Sequence, residues 1–273
     1  MEKRLFKLTK ELEMKFSQKQ LKDMALKASG KIVNAKVGSE YFELPYKHLV
    51  VDNFLDPELA SLCLEKFPDL SDDCWEHAND LDIEIKYRTT WKSEFDIPDG
   101  IVDAIRIMNS APFLRAMSEI FGIPKVMPDP YFSGGGLNAT KTGGLLDVHV
   151  DGNYHDASGL NRRLNALVYL NPNWQSGWGG EFGIYDQNGD VCIKEVAPLF
   201  NRLVIFDSHD KSFHGLPAPL NFPDGEIRKS IILYYYTKDP RLDSQISVNE
   251  PHSALWKKRG FHDKKGNKTR DFE

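Results

Sequence analysis

Gly143-Gly144-Leu145-Leu146-Asp147-Val148-His149-Val150-Asp151 is a short apolar run opened by two glycines and closed by a histidine and an aspartate. Residues two apart on a strand project to the same face, so His149 and Asp151 present an imidazole and a carboxylate together at a strand end. Alone, the pair is a weak signal. With eight histidines in the chain, a chance His-x-Asp has roughly even odds at ordinary residue frequencies.

The surroundings of this run point to the fold. From Pro130 onward, β-rich segments at about 131–139, 145–150, 164–170, 181–185, 191–196, 202–206 and 230–237 are separated by glycine and asparagine. Asn188-Gly189, between two of them, predicts a hairpin, because both residues tolerate the positive φ of a tight turn. Strands at this spacing predict a mainly β architecture (a sandwich, barrel or jelly roll) with flanking helices, rather than a parallel α/β sheet. Upstream, 47–55 reads as a strand. Asp56-Pro57 reads as the cap and first position of a helix, and 99–121 as a helical stretch divided by Pro112. Leu5, Leu8, Leu12 and Phe16 have the spacing of an amphipathic helix, and its interleaved glutamates favour a solvated face over a membrane-surface role. The reading divides the chain into an N-terminal helical extension (1–38), a mixed support region (39–129), a β core (130–238) and a polar tail (239–273), with 38–240 forming one compact domain.

Composition narrows the class. A hydrophobic content of 41% with 27% charged residues is that of an ordinary globular protein. A net charge of -5 argues against a broad nucleic-acid footprint, which shows as a basic face. Cys63, Cys74 and Cys192 are odd in number and scattered, which excludes a disulfide framework and fits a reducing compartment. No apolar run reaches membrane-spanning length and the N-terminus carries no apolar signal region, so a cytoplasmic location is expected.

His214 lies 63 residues beyond Asp151 (214 − 151), just past the 202–206 strand. Two imidazoles and a carboxylate compose the facial ligand set of non-haem iron(II), which leaves coordination positions open; zinc is the rival on ligand type alone. Arg228, 14 residues past His214 (228 − 214), opens the apolar run 228–236. A guanidinium at the start of a buried strand needs a partner. A carboxylate bound through two hydrogen bonds would serve, and Ser230 on the same face could add a third. The alternative for Arg228 is a structural salt bridge.

Taken together, these motifs resemble the prolyl 4-hydroxylase-like branch of the 2-oxoglutarate/Fe(II)-dependent dioxygenases. The likeness covers roughly 130–238. It comprises the 143–151 run, Leu164-Asn165-Ala166-Leu167-Val168-Tyr169-Leu170-Asn171-Pro172-Asn173-Trp174, Trp178-Gly179-Gly180-Glu181-Phe182, Phe206 eight residues before His214, and Arg228-x-Ser230. The resemblance implies a double-stranded β-helix, or jelly roll, with iron held by His149, Asp151 and His214 and 2-oxoglutarate held by Arg228. Dioxygen would be the second co-substrate and ascorbate an optional accessory. It also implies hydroxylation of an unactivated C–H in peptidyl or free proline. The same chemistry on another amino acid, a sugar or a small metabolite remains open, as do a cupin-like binding module without turnover and a zinc hydrolase. The chain departs from the family where a tyrosine often flanks the oxoacid: Asn138 or Ala139 stands near one such position, and Val168, with Tyr169 adjacent, near another. Substrate candidates are Tyr154, His155, Arg162 and Arg163 in the loop after Asp151, together with Trp91, for which core packing is the alternative. His209 is expected to face solvent or substrate. The Tyr234–Tyr236 run is expected to serve packing, and the proline-rich 215–227 loop to border the substrate mouth.

Overall fold

Alternating and fully apolar runs in the C-terminal two thirds assemble into one antiparallel sheet that curls into a half-barrel. The computed structural model describes residues 15–258, with the backbone of 261–262 and 268–270. In chain order the strands are β1 (Tyr41–Phe42), β2 (His48–Val51), β3 (Trp75–Asp80), β4 (Glu84–Thr89), β5 (Met127–Pro128), β6 (Gly136–Thr140) and β7 (Leu145–Val150). They continue as β8 (Asn161–Tyr169), β9 (Phe182–Tyr185), β10 (Cys192–Val196), β11 (Arg202–Asp207), β12 (His214–Leu216), β13 (Arg228–Thr237) and β14 (Leu255–Trp256). Neighbours run β1-β2-β11-β8-β13-β6-β4-β7-β12-β9-β10, with β3 on β4, β5 on β13 and β14 on β7. This is the jelly roll of the expectation. Its long central strands β8 and β13 are buried on both faces, as their near-continuous apolar sequences require.

Among the described residues, four α-helices cover the outer face of the sheet around β8, β11 and β13. The helix Gln18–Val37 opens with a capping box in which Ser17 and Gln20 satisfy each other's backbone N–H groups. It buries Leu21, Ala25, Ala28, Ile32 and Ala35 along one stripe, against the helices Ile101–Met108 and Ala111–Phe121. Phe16 is buried in the same core; Leu5, Leu8 and Leu12 lie outside the described residues. Asp56 caps the helix Pro57–Glu65 by accepting the Glu58 N–H, as its Asp-Pro entry predicts. Pro112 sits in the first turn of Ala111–Phe121, where its missing N–H costs nothing, and so divides the 99–121 stretch into two helices.

Three departures from the sequence reading have local causes. β6 starts only at Gly136, because the Asp129 carboxylate accepts the Tyr131 and Ser133 N–H groups and holds the preceding segment in a turn. The hairpin β3–β4 escapes prediction because its strands carry charges in place of an apolar face, with Arg88 and Glu76 paired across it. The third departure lies in the polar segment after Asp239. Leu255 and Trp256 add a strand to β7, and Arg241 and His252 are buried.

Ile32→Ala, at a fully buried position on the first described helix, should cost about 2–5 kcal/mol of folding stability in urea denaturation. A loss under ~0.5 kcal/mol would show that this helix is not part of the cooperative core.

Candidate metal centre and substrate cleft

The register of β7 against β12 sets His149 directly opposite His214, with ring centroids 4.4 Å apart. Asp151, one residue past β7, approaches both rings. Its Oδ1 lies 3.7 Å from His149 Nε2 and its Oδ2 lies 3.5 Å from His214 Nε2. One ligand atom from each of the three residues lies within 4.8 Å of the others, and both histidines and the aspartate are buried. Each histidine is oriented the same way: Nδ1 donates to the carbonyl two residues before it, Asp147 at 2.8 Å and Ser212 at 2.9 Å. That bond selects the tautomer whose Nε2 lone pair faces the shared centre, the arrangement a metal ligand needs.

The electrostatics suit a cation. Burial pushes the Asp151 carboxyl up, but the electrostatic attraction of the adjacent His214, His149 and Arg162 side chains outweighs it, leaving the group ionised and well below the usual carboxylate range. Burial, reinforced by His149, lowers His214 to about 4 against the pull of Asp151, so its imidazole is neutral. Asn165 on β8 donates to Asp151 Oδ2, and Arg162 Nη1 stands 3.6 Å from Oδ1.

Beyond the triad a narrow cavity of about 70 Å³ runs between the sheet faces, bounded by His149, Asp151, His214 and Asn165 at one end and by Arg228 and Thr140 at the other. Arg228 is buried, gives its Nε–H to Gly180 O at 2.7 Å, and holds its guanidinium 4.9 Å from the centre of the Tyr169 ring. Among the described residues no salt bridge claims it, and its Nη2, the Ser230 hydroxyl and the Tyr169 hydroxyl are buried without a hydrogen-bond partner. Ser230 is the register partner of both Tyr169 on β8 and Asn138 on β6, so the three side chains form one row beside Arg228. Orphaned buried donors are costly, and a dicarboxylate reaching from the triad to Arg228 would satisfy them. The donor set therefore fits iron(II) at the triad and the distal carboxylate of 2-oxoglutarate at Arg228.

On the opposite side the triad opens into a broad cleft of about 580 Å³. Arg162 forms part of its floor, stacked 3.9 Å over Tyr234, and Tyr154, Tyr236 and Trp91 line it. Trp91 also belongs to the main apolar core. His155 borders the cleft, yet both ring nitrogens are engaged: Nε2 with Asp129 at 2.9 Å, and Nδ1 as acceptor for the N–H groups of Ala157 and Ser158. It shapes the loop after Asp151. Arg163 is buried away from the cleft, giving Nη1 to Pro240 O at 3.5 Å.

Three expectations need correction. His209 does not face solvent; it is buried in a turn, edge-on to Tyr46, with Nδ1 accepting the Lys211 N–H. The 215–227 loop does not border the mouth. Leu216, Leu220 and Phe222 pack with Trp174 and Trp178, and Leu220 closes the Arg228 end beside Gly180. Strand alternation splits the tyrosine run. Tyr235 enters the core and bonds Met108 O, while Tyr234 and Tyr236 face the cleft. The sequence reading also missed Asn165, Lys86 and Trp256. Asn165 had a signal, since it shares the inward face of β8 with Leu167 and Tyr169; Lys86 and Trp256 lie on segments with no readable period.

The family model described as the 2OG-Fe(II) oxygenase superfamily matches residues 135–236, which hold all three triad residues and Arg228. Prolyl 3-hydroxylase OGFOD1 of Xenopus laevis is 31% identical over 106 residues, covering 36% of this chain and 20% of the relative. The Mus musculus protein of that name is 24% identical over 223 residues, covering 76% of this chain and 36% of the relative. The chain thus spans about a fifth to a third of the length of these curated relatives. Among solved structures, a prolyl hydroxylase from Trichoplax adhaerens, in complex with a hypoxia inducible factor oxygen degradation domain peptide fragment, shares the fold. It has a TM-score of 0.51 at 18% identity and covers 82% of this chain and 94% of that one. Residues 135–236 thus match the 2OG-Fe(II) oxygenase superfamily, and the chain is similar to prolyl hydroxylases in sequence and in fold.

Burial lowers His209 to about 4 from 6.5, so its native form resists protonation. Between those values the unfolded chain binds the extra proton, and stability therefore falls as pH drops from about 6.5 toward 4. The effect of this residue is on the order of 3 kcal/mol. His209→Gln should flatten that limb in denaturation at stepped pH, and an unchanged slope would remove His209 as its source.

Proposed function

We propose that this chain hydroxylates an unactivated C–H of a prolyl residue in a polypeptide, using 2-oxoglutarate and dioxygen at an iron(II) held by His149, Asp151 and His214. The observation that carries the reading is a single cavity with the buried two-histidine, one-carboxylate cluster at one end and the unpartnered Arg228 Nη2 at the other. The centre, when loaded, supplies the oxidising power, with 2-oxoglutarate converted to succinate and carbon dioxide. The protein's share is placement. Arg228, with Ser230 and Tyr169 beside it, holds the distal carboxylate; Asn138 stands in the same row. Phe206 and Phe182, both packed on the His214 ring, and Leu216 give the cavity apolar walls that exclude water.

A polypeptide substrate is favoured over free proline by the width of the outer cleft, whose walls continue along β3–β4 well past the triad. The curated relatives, named prolyl 3-hydroxylases, support proline as the target. Arg162, with an Nε–H that has no partner, is suited to hold a substrate carbonyl oxygen beside the metal; Tyr154 and Trp91 border that position. Residues 130–238 are read as the catalytic core, with 39–129 supporting it. The three free cysteines support a reducing, cytoplasmic setting, and no described helix is long and apolar enough to cross a membrane.

His149→Ala and Asp151→Ala should each reduce substrate-dependent succinate formation by more than the ~100-fold that loss of an outer partner typically costs. Full turnover in either variant would reject the triad. Arg228→Ala should raise the 2-oxoglutarate KM by about 10–100-fold, from the ~1.5–3 kcal/mol of a charged hydrogen bond, with iron affinity unchanged. Gly180→Ala should act in the same direction, since its Cβ would fall 2.9 Å from Arg228 Cδ at a φ of +82°. Unchanged KM values in both would move the oxoacid elsewhere.

A further inference from the structure

Residues 241–258 form a strap that leaves β13, crosses the turn before His214 and ends as β14 on the edge of β7. The strap carries Trp256, whose Cα pairs in register with His149 and whose indole stacks on that imidazole at 4.5 Å and 28°. His149 is thereby held between Trp256 on one face and His214 on the other. The strap also reaches the group that orients His149. The Lys258 N–H donates to the Asp147 carboxylate, and the Asp147 carbonyl accepts His149 Nδ1–H. Trp256 lines the outer cleft as well, so one indole touches the ligand and faces the space the substrate would enter.

The anchoring of the strap is polar and buried. Asp210, with a fully enclosed side chain, takes Arg241 Nη1 at 2.7 Å and His252 Nε2 at 3.2 Å, and accepts the N–H groups of Ser247 and Val248. Asn153, two residues past Asp151, exchanges further hydrogen bonds with Glu250 and His252. Gly152 has no room for a Cβ, which would lie 2.9 Å from His252 O. Asp210 stands in the same turn as Ser212, whose carbonyl orients His214. One short turn thus fixes the second histidine directly and the first through the strap.

We infer that Trp256 is a positioning residue for the metal centre: delivered by the Asp210-anchored strap, it fixes the plane of His149 and forms the cleft wall beside it. This rests on the triad holding a metal. Cobalt(II) under anaerobic conditions is a direct probe, because an indole stacked on a ligand should lose fluorescence when cobalt(II) binds. The full chain should take up one equivalent of cobalt(II) with marked quenching. Trp256→Phe should keep the affinity within about twofold, since an aromatic ring still stacks, yet lose most of the quenching. Trp256→Ala should bind cobalt(II) about tenfold more weakly. Asp210→Asn, which keeps all five tryptophans, should show reduced quenching through a loosened strap. Cobalt(II) uptake by the wild type with undiminished quenching in Trp256→Phe would overturn the inference alone. Wild-type affinity in Trp256→Ala would also overturn it. Absence of His149-dependent uptake by the wild type would overturn the metal-centre reading, and this inference with it.

Discussion

The register between β7 and β12 is the constraint on which the site depends. Strand side chains alternate with a period of two, so a one-residue slip would turn His149 to the opposite face and separate it from His214. Close approach of the strands makes the register possible. Gly215 on β12 and Gly183 on β9 lie where a Cβ would meet backbone carbonyls at 2.9 Å and 3.0 Å, so β12 can sit between β7 and β9 only if these positions lack side chains. Asp151 follows the end of β7, where departure from the sheet lets its carboxylate turn toward both imidazoles.

Around that register the protein holds charge in places that cost stability. Asp151 is ionised and buried, Arg228 is buried with an unpartnered Nη2, and Ser230 and Tyr169 each bury an unpaired hydroxyl. An apolar interior would be more stable without them. Asp151 and Arg228 line one narrow cavity, with Ser230 and Tyr169 in the strand row beside Arg228, and this arrangement makes sense when a cation and a dicarboxylate complete it, since groups already desolvated and oriented need little rearrangement on binding. The outer cleft differs in kind. It is wide and lined by the pairs Arg88–Glu76 and Lys86–Glu84, so the deep end suits a small rigid co-substrate and the outer end a larger flexible one.

Support for the centre comes from segments far apart in the chain. The helix Gln18–Val37 and its partners stiffen the outer face of the sheet through β2, β8, β11 and β13. The turn at 207–212 works from the other side, orienting His214 through Ser212 and tethering residues 241–252 through Asp207 and Asp210.

Much of this was legible in the sequence, because its causes are local. The apolar runs at 145–150 and 202–206, the Asn188-Gly189 turn, the Asp56-Pro57 helix start and the break at Pro112 each follow from the preferences of a few adjacent residues. The triad and Arg228 could be named from their order along β strands. What the sequence could not supply depends on contact between distant segments. The hairpin Trp75–Thr89 has no apolar face and becomes a strand pair only when β4 is taken up between β6 and β7. Tyr169 meets Arg228 only through the register of β8 on β13, which also sends Tyr235 inward and Tyr234 toward the cleft. His209 is buried because Tyr46, more than 160 residues earlier, lies against it. Trp256 reaches His149 because Asp210 holds the strap in place. Periodicity and turn chemistry determined the strands and the candidate ligand residues they carry. Burial, register and long-range pairing, which no local pattern encodes, decided what surrounds them.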